Sequence, residues 1–398
     1  MTASTRIILG DPHPWTPSTP PDDIADLRAR VRRTRWPALA DAPGWSEGTD
    51  SDVLRDLAER WGSAYDWTAR EERIARHPWH EVAARRAADG GAVARIRFIH
   101  ARATSPRAAL LLCHGWPDSA WRYLEVVDAL TSAGEDGVAF DVVVPEMPGF
   151  GYSTLEASPL NSMEVAELWA ALMRRLGYDR YVVAGGDIGS AVGRFIALNH
   201  PAHVIAVHRM DAGIPVYTGD PAALSAAERA WMRRAAEWSA QEGAYAALHR
   251  TKPVTLGAAL ADSPVGLAAW IVEKLHAWSD RSEATTSALS ADAMLDLVTT
   301  TWLTNSATPA MRMYRANAAI PAWEHARRVE VPSGFSLFPG DLLTPPPEWL
   351  DRVANVARVT RPERGGHFAP RETPELYVRE LRAFFEPWVR AEGVPSNA

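Results

Sequence analysis

Cysteine is almost absent: the 398 residues include one, Cys113. No internal disulfide can form, and the chain reads as a cytoplasmic protein of a reducing compartment. Cys113 closes the apolar run Ala109-Leu110-Leu111-Leu112, which assigns it to core packing. Runs of about twenty consecutive apolar residues are also missing, so no membrane span is predicted. Residues 1–20 are polar and proline-rich and lack the apolar core of a secretory signal. Positive charge is not in excess: 42 Lys and Arg face 49 Asp and Glu, a net −7 that argues against nucleic acid or an anionic membrane as the main partner. No repeat of about 20–50 residues is visible, which argues against a solenoid or propeller. No Cys/His cluster has ligand spacing, so neither a metal nor a cofactor is expected.

What is present can bury a large core, since 47% of the residues are hydrophobic and 23% charged. Residues 22–36 carry Ile24, Leu27, Val31 and Trp36 before Pro37, which predicts a helix with a buried stripe stopped by proline. Its arginines read as a solvated face, because the apolar stripe is complete without them. A second helical pattern runs over 52–61. Short apolar runs then appear at 96–99, 108–113, 142–144, 181–184 and 204–207, the later ones separated by helical patterns. Strands alternating with helices imply a mainly parallel sheet covered on both faces. Strand signals stop between about 215 and 322, where helical segments such as 222–250 and 262–278 take over, and return at 334–338 and 353–359. A helical excursion between two halves of one sheet reads as a cap over its C-terminal edge, where open α/β sheets bind ligands.

The most informative stretch is Gly185-Gly186-Asp187-Ile188-Gly189, which follows the apolar run Tyr181-Val182-Val183-Ala184 and precedes a helical pattern from Ser190. It has the small-x-nucleophile-x-small form of the α/β-hydrolase elbow, with aspartate where serine is commoner. The glycines suit a strained turn in which strand and helix approach closely. Aspartate is already ionised at neutral pH and suits displacement at a saturated carbon, leaving an alkyl ester on the enzyme. Epoxide opening or halide displacement follows from that chemistry more readily than attack on an ester or amide.

Four further features fall at matching positions. His114-Gly115-Trp116-Pro117 follows the strand at 108–113 and can aim the Trp116 N–H, together with that of Ile188, at a developing oxyanion. Taken alone it could be an ordinary turn. Gly365-Gly366-His367-Phe368 places a histidine that can stand over Asp187 and activate water. Asp341, in Phe338-Pro339-Gly340-Asp341, can hold that imidazole in its working tautomer, although aspartate is also a common turn former. In the cap, Tyr245 and Tyr314 can donate to the alkoxide left by an opened epoxide, or pack as ordinary aromatics. The order nucleophile, acid, histidine is that of the α/β-hydrolases.

These residues resemble the epoxide hydrolases of the microsomal type, over roughly residues 20–390. The resemblance is carried by Thr34-Arg35-Trp36-Pro37, Gly44-Trp45 and Tyr65-Asp66-Trp67 in the leader, and by the His114, Asp187 and His367 motifs with Pro148-Gly149-Phe150-Gly151-Tyr152-Ser153 in the core. Glu242-Gly243-Ala244-Tyr245, Thr251-Lys252-Pro253 and Met313-Tyr314-Arg315 extend it into the cap. It implies an α/β-hydrolase fold with a mostly parallel central sheet, an inserted helical cap and an N-terminal meander. The expected division is residues 1–105 as an extension wrapping core and cap, 106–214 and 323–398 as the two halves of the core, and 215–322 as the cap. It further implies Asp187 as nucleophile, His367 as base, Asp341 as orienting acid, Tyr245 and Tyr314 as epoxide-gripping acids, and the Trp116 and Ile188 amides as oxyanion hole. The substrate would be a small-molecule epoxide, with no cofactor, and homodimerisation stays open. The alternatives are a haloalkane or haloacid dehalogenase and a catalytically silent binding protein. The sequence departs from the family pattern in the link from His77 to Val93, at Arg209-Met210-Asp211-Ala212-Gly213 in place of an apolar-Asn form, and at Pro370.

Overall fold

A computed structural model describes residues 7–38, 44–134, 137–281 and 289–392. The first six residues of the polar N-terminal stretch lie outside this set. The leader forms β1 (Ile7–Leu9), β2 (His13–Pro14), α1 (Pro21–Arg32), α2 (Ser51–Gly62), α3 (Trp67–Ala75), β3 (Trp79–Arg86) and β4 (Ala92–Ala101). The core continues through β5 (Ala108–Cys113), α4 (Leu124–Thr131), β6 (Phe140–Pro145), α5 (Ser162–Arg175), β7 (Tyr181–Gly185), α6 (Ile188–Asn199) and β8 (Val204–Arg209). Helices α7 (Ala226–Gln241), α8 (Ala244–Thr251), α9 (Pro253–Asp262), α10 (Pro264–Trp278), α11 (Ala291–Leu303), α12 (Ala307–Asn317) and α13 (Ala322–His325) follow. The sheet resumes with β9 (Val329–Ser336), α14 (Pro347–Val353), β10 (Ala354–Thr360), α15 (Ala369–Glu372) and α16 (Pro374–Ala391).

The strands form one sheet in the order β1-β3-β4-β6-β5-β7-β8-β9-β10, with β2 on β3. Pairing is antiparallel from β1 to β6 and parallel from β6 to β10. Strands β5, β6, β7 and β8 are buried at every position, as strands covered on both faces must be, which is why they read as apolar runs, broken only by Asp141 in β6 and by His208 and Arg209 at the end of β8. Among the described residues no single helix is long and apolar enough to cross a membrane.

Several sequence expectations shift. Helix α1 stops at Arg32, four residues before Trp36, because Thr34 folds back and its hydroxyl donates to the Val31 carbonyl at 2.7 Å. Two of its arginines are not merely solvated: Arg28 donates to the Tyr65 carbonyl at 3.1 Å and Arg32 to that of Gly62 at 3.0 Å, tying α1 to the end of α2. The 77–93 link, despite its unfamiliar sequence, is a β3–β4 hairpin whose turn is held by Asp89, which accepts the Gly91 N–H at 2.9 Å. The edge strands β1 and β2 were not expected, since strands of three and two residues leave no periodic signal.

The leader grips the inserted helices directly. Arg60 pairs with Asp292 at 2.6 and 2.9 Å, the Thr49 hydroxyl donates to Ala269 O at 2.6 Å, and Trp45 stacks on His276 with ring centres 3.6 Å apart. Tyr65 donates to buried Asp296 at 2.8 Å, and Arg70 holds the same carboxylate with two nitrogens.

Candidate active site

Strand β7 turns into α6 at Asp187, which has φ 59° and ψ −132°, a conformation that costs a non-glycine residue about 1–3 kcal/mol. The close approach leaves no room for side chains beside it. A Cβ on Gly189 would lie 2.0 Å from the Cys113 carbonyl oxygen, and one on Gly115 would lie 2.2 Å from Asp187 Oδ1. The strain holds the carboxylate out of the helix, at the C-terminal ends of β5 and β7, with the first N–H groups of α6 beneath it.

The Trp116 N–H donates to Asp187 Oδ1 at 2.9 Å, and the Ile188 N–H adds a second backbone hydrogen bond. His367 Nε2 stands 3.3 Å from Asp187 Oδ2, within ion-pair reach but out of line for a hydrogen bond. Its Nδ1 is 2.7 Å from Asp341 Oδ1. Burial pushes the Asp187 carboxyl up, but His367 and the two amides outweigh it and hold the group below its ordinary range. Burial likewise pushes the His367 imidazole down, and the Asp341 and Asp187 carboxylates overcome this and raise it to about 10. The arrangement favours the charged form of the imidazole between Asp187 and Asp341.

Tyr245 on α8 and Tyr314 on α12 face this group across a cavity of 470 Å³ that also reaches Asp187, Ile188, Asp341 and His367. Their rings meet edge to face with centres 6.0 Å apart, and Trp116 stacks on Tyr245 at 5.1 Å. Burial, then the nearby Asp187 charge, raises the Tyr245 hydroxyl above its ordinary range, and burial with the Tyr245 and Asp187 charges raises Tyr314 as well. Both remain proton donors at neutral pH. All five side chains and both amides picked out from the sequence thus converge on one place.

Sequence reasoning missed several neighbours. Asp211, just after β8, accepts the backbone N–H of Asp187 at 2.8 Å and that of Gly213 at 2.9 Å; its place after a strand end was the available signal. Arg122, wholly buried, donates to the His367 carbonyl at 2.6 Å and to Asp118 at 3.0 Å. His249, also buried, packs edge-on against Trp116, Tyr245 and Tyr314, and accepts the Trp270 indole N–H at 3.1 Å. Neither Arg122 nor His249 sits in a motif that sequence alone would mark.

The sheet order, the elbow and the histidine loop define an α/β-hydrolase with aspartate at the nucleophile position. A family model described as the epoxide hydrolase N terminus matches residues 12–123, and one described as the alpha/beta hydrolase fold matches 108–324. The solved epoxide hydrolase of Aspergillus niger is 30% identical with a TM-score of 0.81, covering 95% of this chain and 97% of that one. The juvenile hormone epoxide hydrolase of the silkworm Bombyx mori is 25% identical with a TM-score of 0.80, covering 96% and 95%. Epoxide hydrolase 1 of Sus scrofa is 29% identical, over 93% of this chain and 88% of its own. A Stigmatella aurantiaca homologue whose name assigns it provisionally to the same group is 35% identical, over 94% and 84%. The chain belongs to the epoxide hydrolase family.

Proposed function

We propose that the protein converts a small-molecule epoxide to a vicinal diol through an ester on Asp187. The observation that carries this reading is the Asp187 carboxylate held between the Trp116 N–H and His367, across one cavity from two protonated tyrosines. The oxirane oxygen accepts hydrogen bonds from Tyr245 and Tyr314. Asp187 attacks a ring carbon from the opposite side, the C–O bond breaks, and a tyrosine proton passes to the leaving oxygen. Esterification removes the Asp187 charge, one of the two that raise His367. The imidazolium then gives its proton, through water, back to the tyrosinate and becomes a neutral base. Held by Asp341, it takes a proton from a water that attacks the ester carbonyl, while the Trp116 and Ile188 amides hold the oxyanion. Collapse returns the carboxylate and releases the diol. The inserted helices, read as a cap over residues 215–322, carry the acid pair; buried Cys113 supports a cytoplasmic setting.

The test is a single turnover in ¹⁸O-water with a styrene-oxide-like substrate, followed by mass spectrometry. Heavy oxygen in Asp187 and unlabelled diol is the expected result. Labelled diol with unlabelled Asp187 means direct attack by water.

A further inference from the structure

Beside the main cavity lies a second chamber of 190 Å³, whose lining shares Asp187, Asp211, Gly213 and Ile214 with it. Its inner wall carries two guanidiniums, Arg209 from the last position of β8 and Arg194 from α6, only 4% and 7% exposed. Arg209 Nε and Nη1 find no hydrogen-bond partner. Arg194 spends Nη2 on three backbone carbonyls, those of Glu324, His325 and Arg327, at 3.0, 3.1 and 2.6 Å. Among the described residues no carboxylate comes within ion-pair distance of either. Asp211, whose charge acts on Arg209, has its two oxygens engaged by the N–H groups of Asp187 and Gly213. Burial holds Arg209 below its ordinary range, and burial followed by the charge of Arg209 brings Arg194 down to about 10. A buried cation with idle donors is costly unless an anion meets it, and a guanidinium fork fits a carboxylate or phosphate. Arg209 also stands in the segment where the sequence leaves its family's apolar pattern.

We propose that this chamber binds a small oxyanion on Arg209 and Arg194, supplied either by a carboxylate on the substrate itself or by a free anion in solution. The substrate arm rests on the epoxide-hydrolase reading, and the free-anion arm does not.

The experiment uses the full chain, wild type and Arg209→Met, with two readouts. The first compares kcat/KM for ω-carboxylate terminal epoxides of increasing chain length with that for their methyl esters. The second follows the thermal midpoint in acetate and inorganic phosphate against chloride at matched ionic strength. If the substrate supplies the anion, one acid is preferred over its ester by about tenfold or more, as loss of a charge-assisted bond implies, and Arg209→Met removes the preference while sparing the ester. If the anion is free, acids and esters react alike, but acetate or phosphate raises the midpoint of the wild type and not of the variant. Should Arg209→Met not fold, Arg194→Met serves the same comparison. No acid preference together with no oxyanion-specific midpoint shift in the wild type overturns the proposal. Absence of all turnover sinks the epoxide reading and leaves the midpoint measurement to decide the chamber.

Discussion

The backbone N–H of His367 donates to the carbonyl oxygen of Trp278 at 2.8 Å, so the last residue of α10 holds the loop that carries the histidine. From the other side Arg122 holds the His367 carbonyl at 2.6 Å, and the Trp278 ring packs edge-on to the imidazole with centres 5.2 Å apart. Both polar ends of one residue are pinned, one by an inserted helix and one by the core.

Removing the base should stop the reaction halfway. With His367→Gln, Asp187 can still open the ring but no group activates water. Intact-protein mass spectrometry should then show the enzyme heavier by one substrate mass, persisting for at least minutes. Rapid diol formation with no adduct would contradict the ester route.

The two tyrosines should act on the first half of the reaction alone. Tyr245→Phe or Tyr314→Phe removes one donor to the alkoxide and should lower the alkylation rate by about 10²–10³, the usual cost of one lost oxyanion donor. Stopped-flow tryptophan fluorescence separates the two phases. Hydrolysis of a preformed ester should change by less than about threefold, because the hydrolytic oxyanion faces the amides instead.

Stability should fall with alkaline pH through His367. Its folded pKa, about 10, lies above the ordinary 6.5, because the Asp341 and Asp187 charges outweigh burial. A raised pKa means that the folded state binds the proton more tightly, so this stabilisation is complete below 6.5 and is lost as pH rises towards 10. Thermal melts from pH 6 to about 10 should show a steeper decline for the wild type than for His367→Gln; parallel curves would refute the assignment.

The leader should contribute through Asp296, which is buried and bonded by Tyr65 and Arg70. Asp296→Ala strands the Tyr65 hydroxyl and leaves the Arg70 guanidinium without its carboxylate, and should cost roughly 3 kcal/mol in denaturant unfolding, near the lower end for a broken buried pair since Arg70 is partly exposed. Tyr65→Phe alone should cost about 1–2 kcal/mol.

How much of this was legible depended on whether the signal was local. Strands such as Ala108–Cys113 and Tyr181–Gly185 are buried on both faces, so their residues are apolar one after another and the sheet could be read directly. The helical insertion was legible from the gap between strand signals. By contrast β1 and β2, of three and two residues, are too short to show a period and are defined by their pairing with β3, and the helical segment read over 222–250 divides into α7 and α8 at Glu242 and Gly243. At the site, Asp187, Asp341 and His367 each follow a strand or lie in a glycine turn, and that placement marks them. Asp211, Arg122, Arg209 and His249 acquire their importance only from neighbours far along the chain, such as the His367 carbonyl 245 positions from Arg122. No periodicity encodes such a meeting.

The order in which the chain supplies its parts has a consequence during synthesis. Asp187 emerges first, the tyrosines follow from the insertion, and Asp341 and His367 arrive last, onto a docking carbonyl already provided by Trp278. A nascent or proteolytically shortened chain can hold the aspartate yet lack the base, its orienting acid and the contact that seats them. Such a fragment could trap one electrophile at most and never turn it over. Turnover, as opposed to a single capture, is therefore withheld until the far half of the sheet has closed and seated His367 and Asp341.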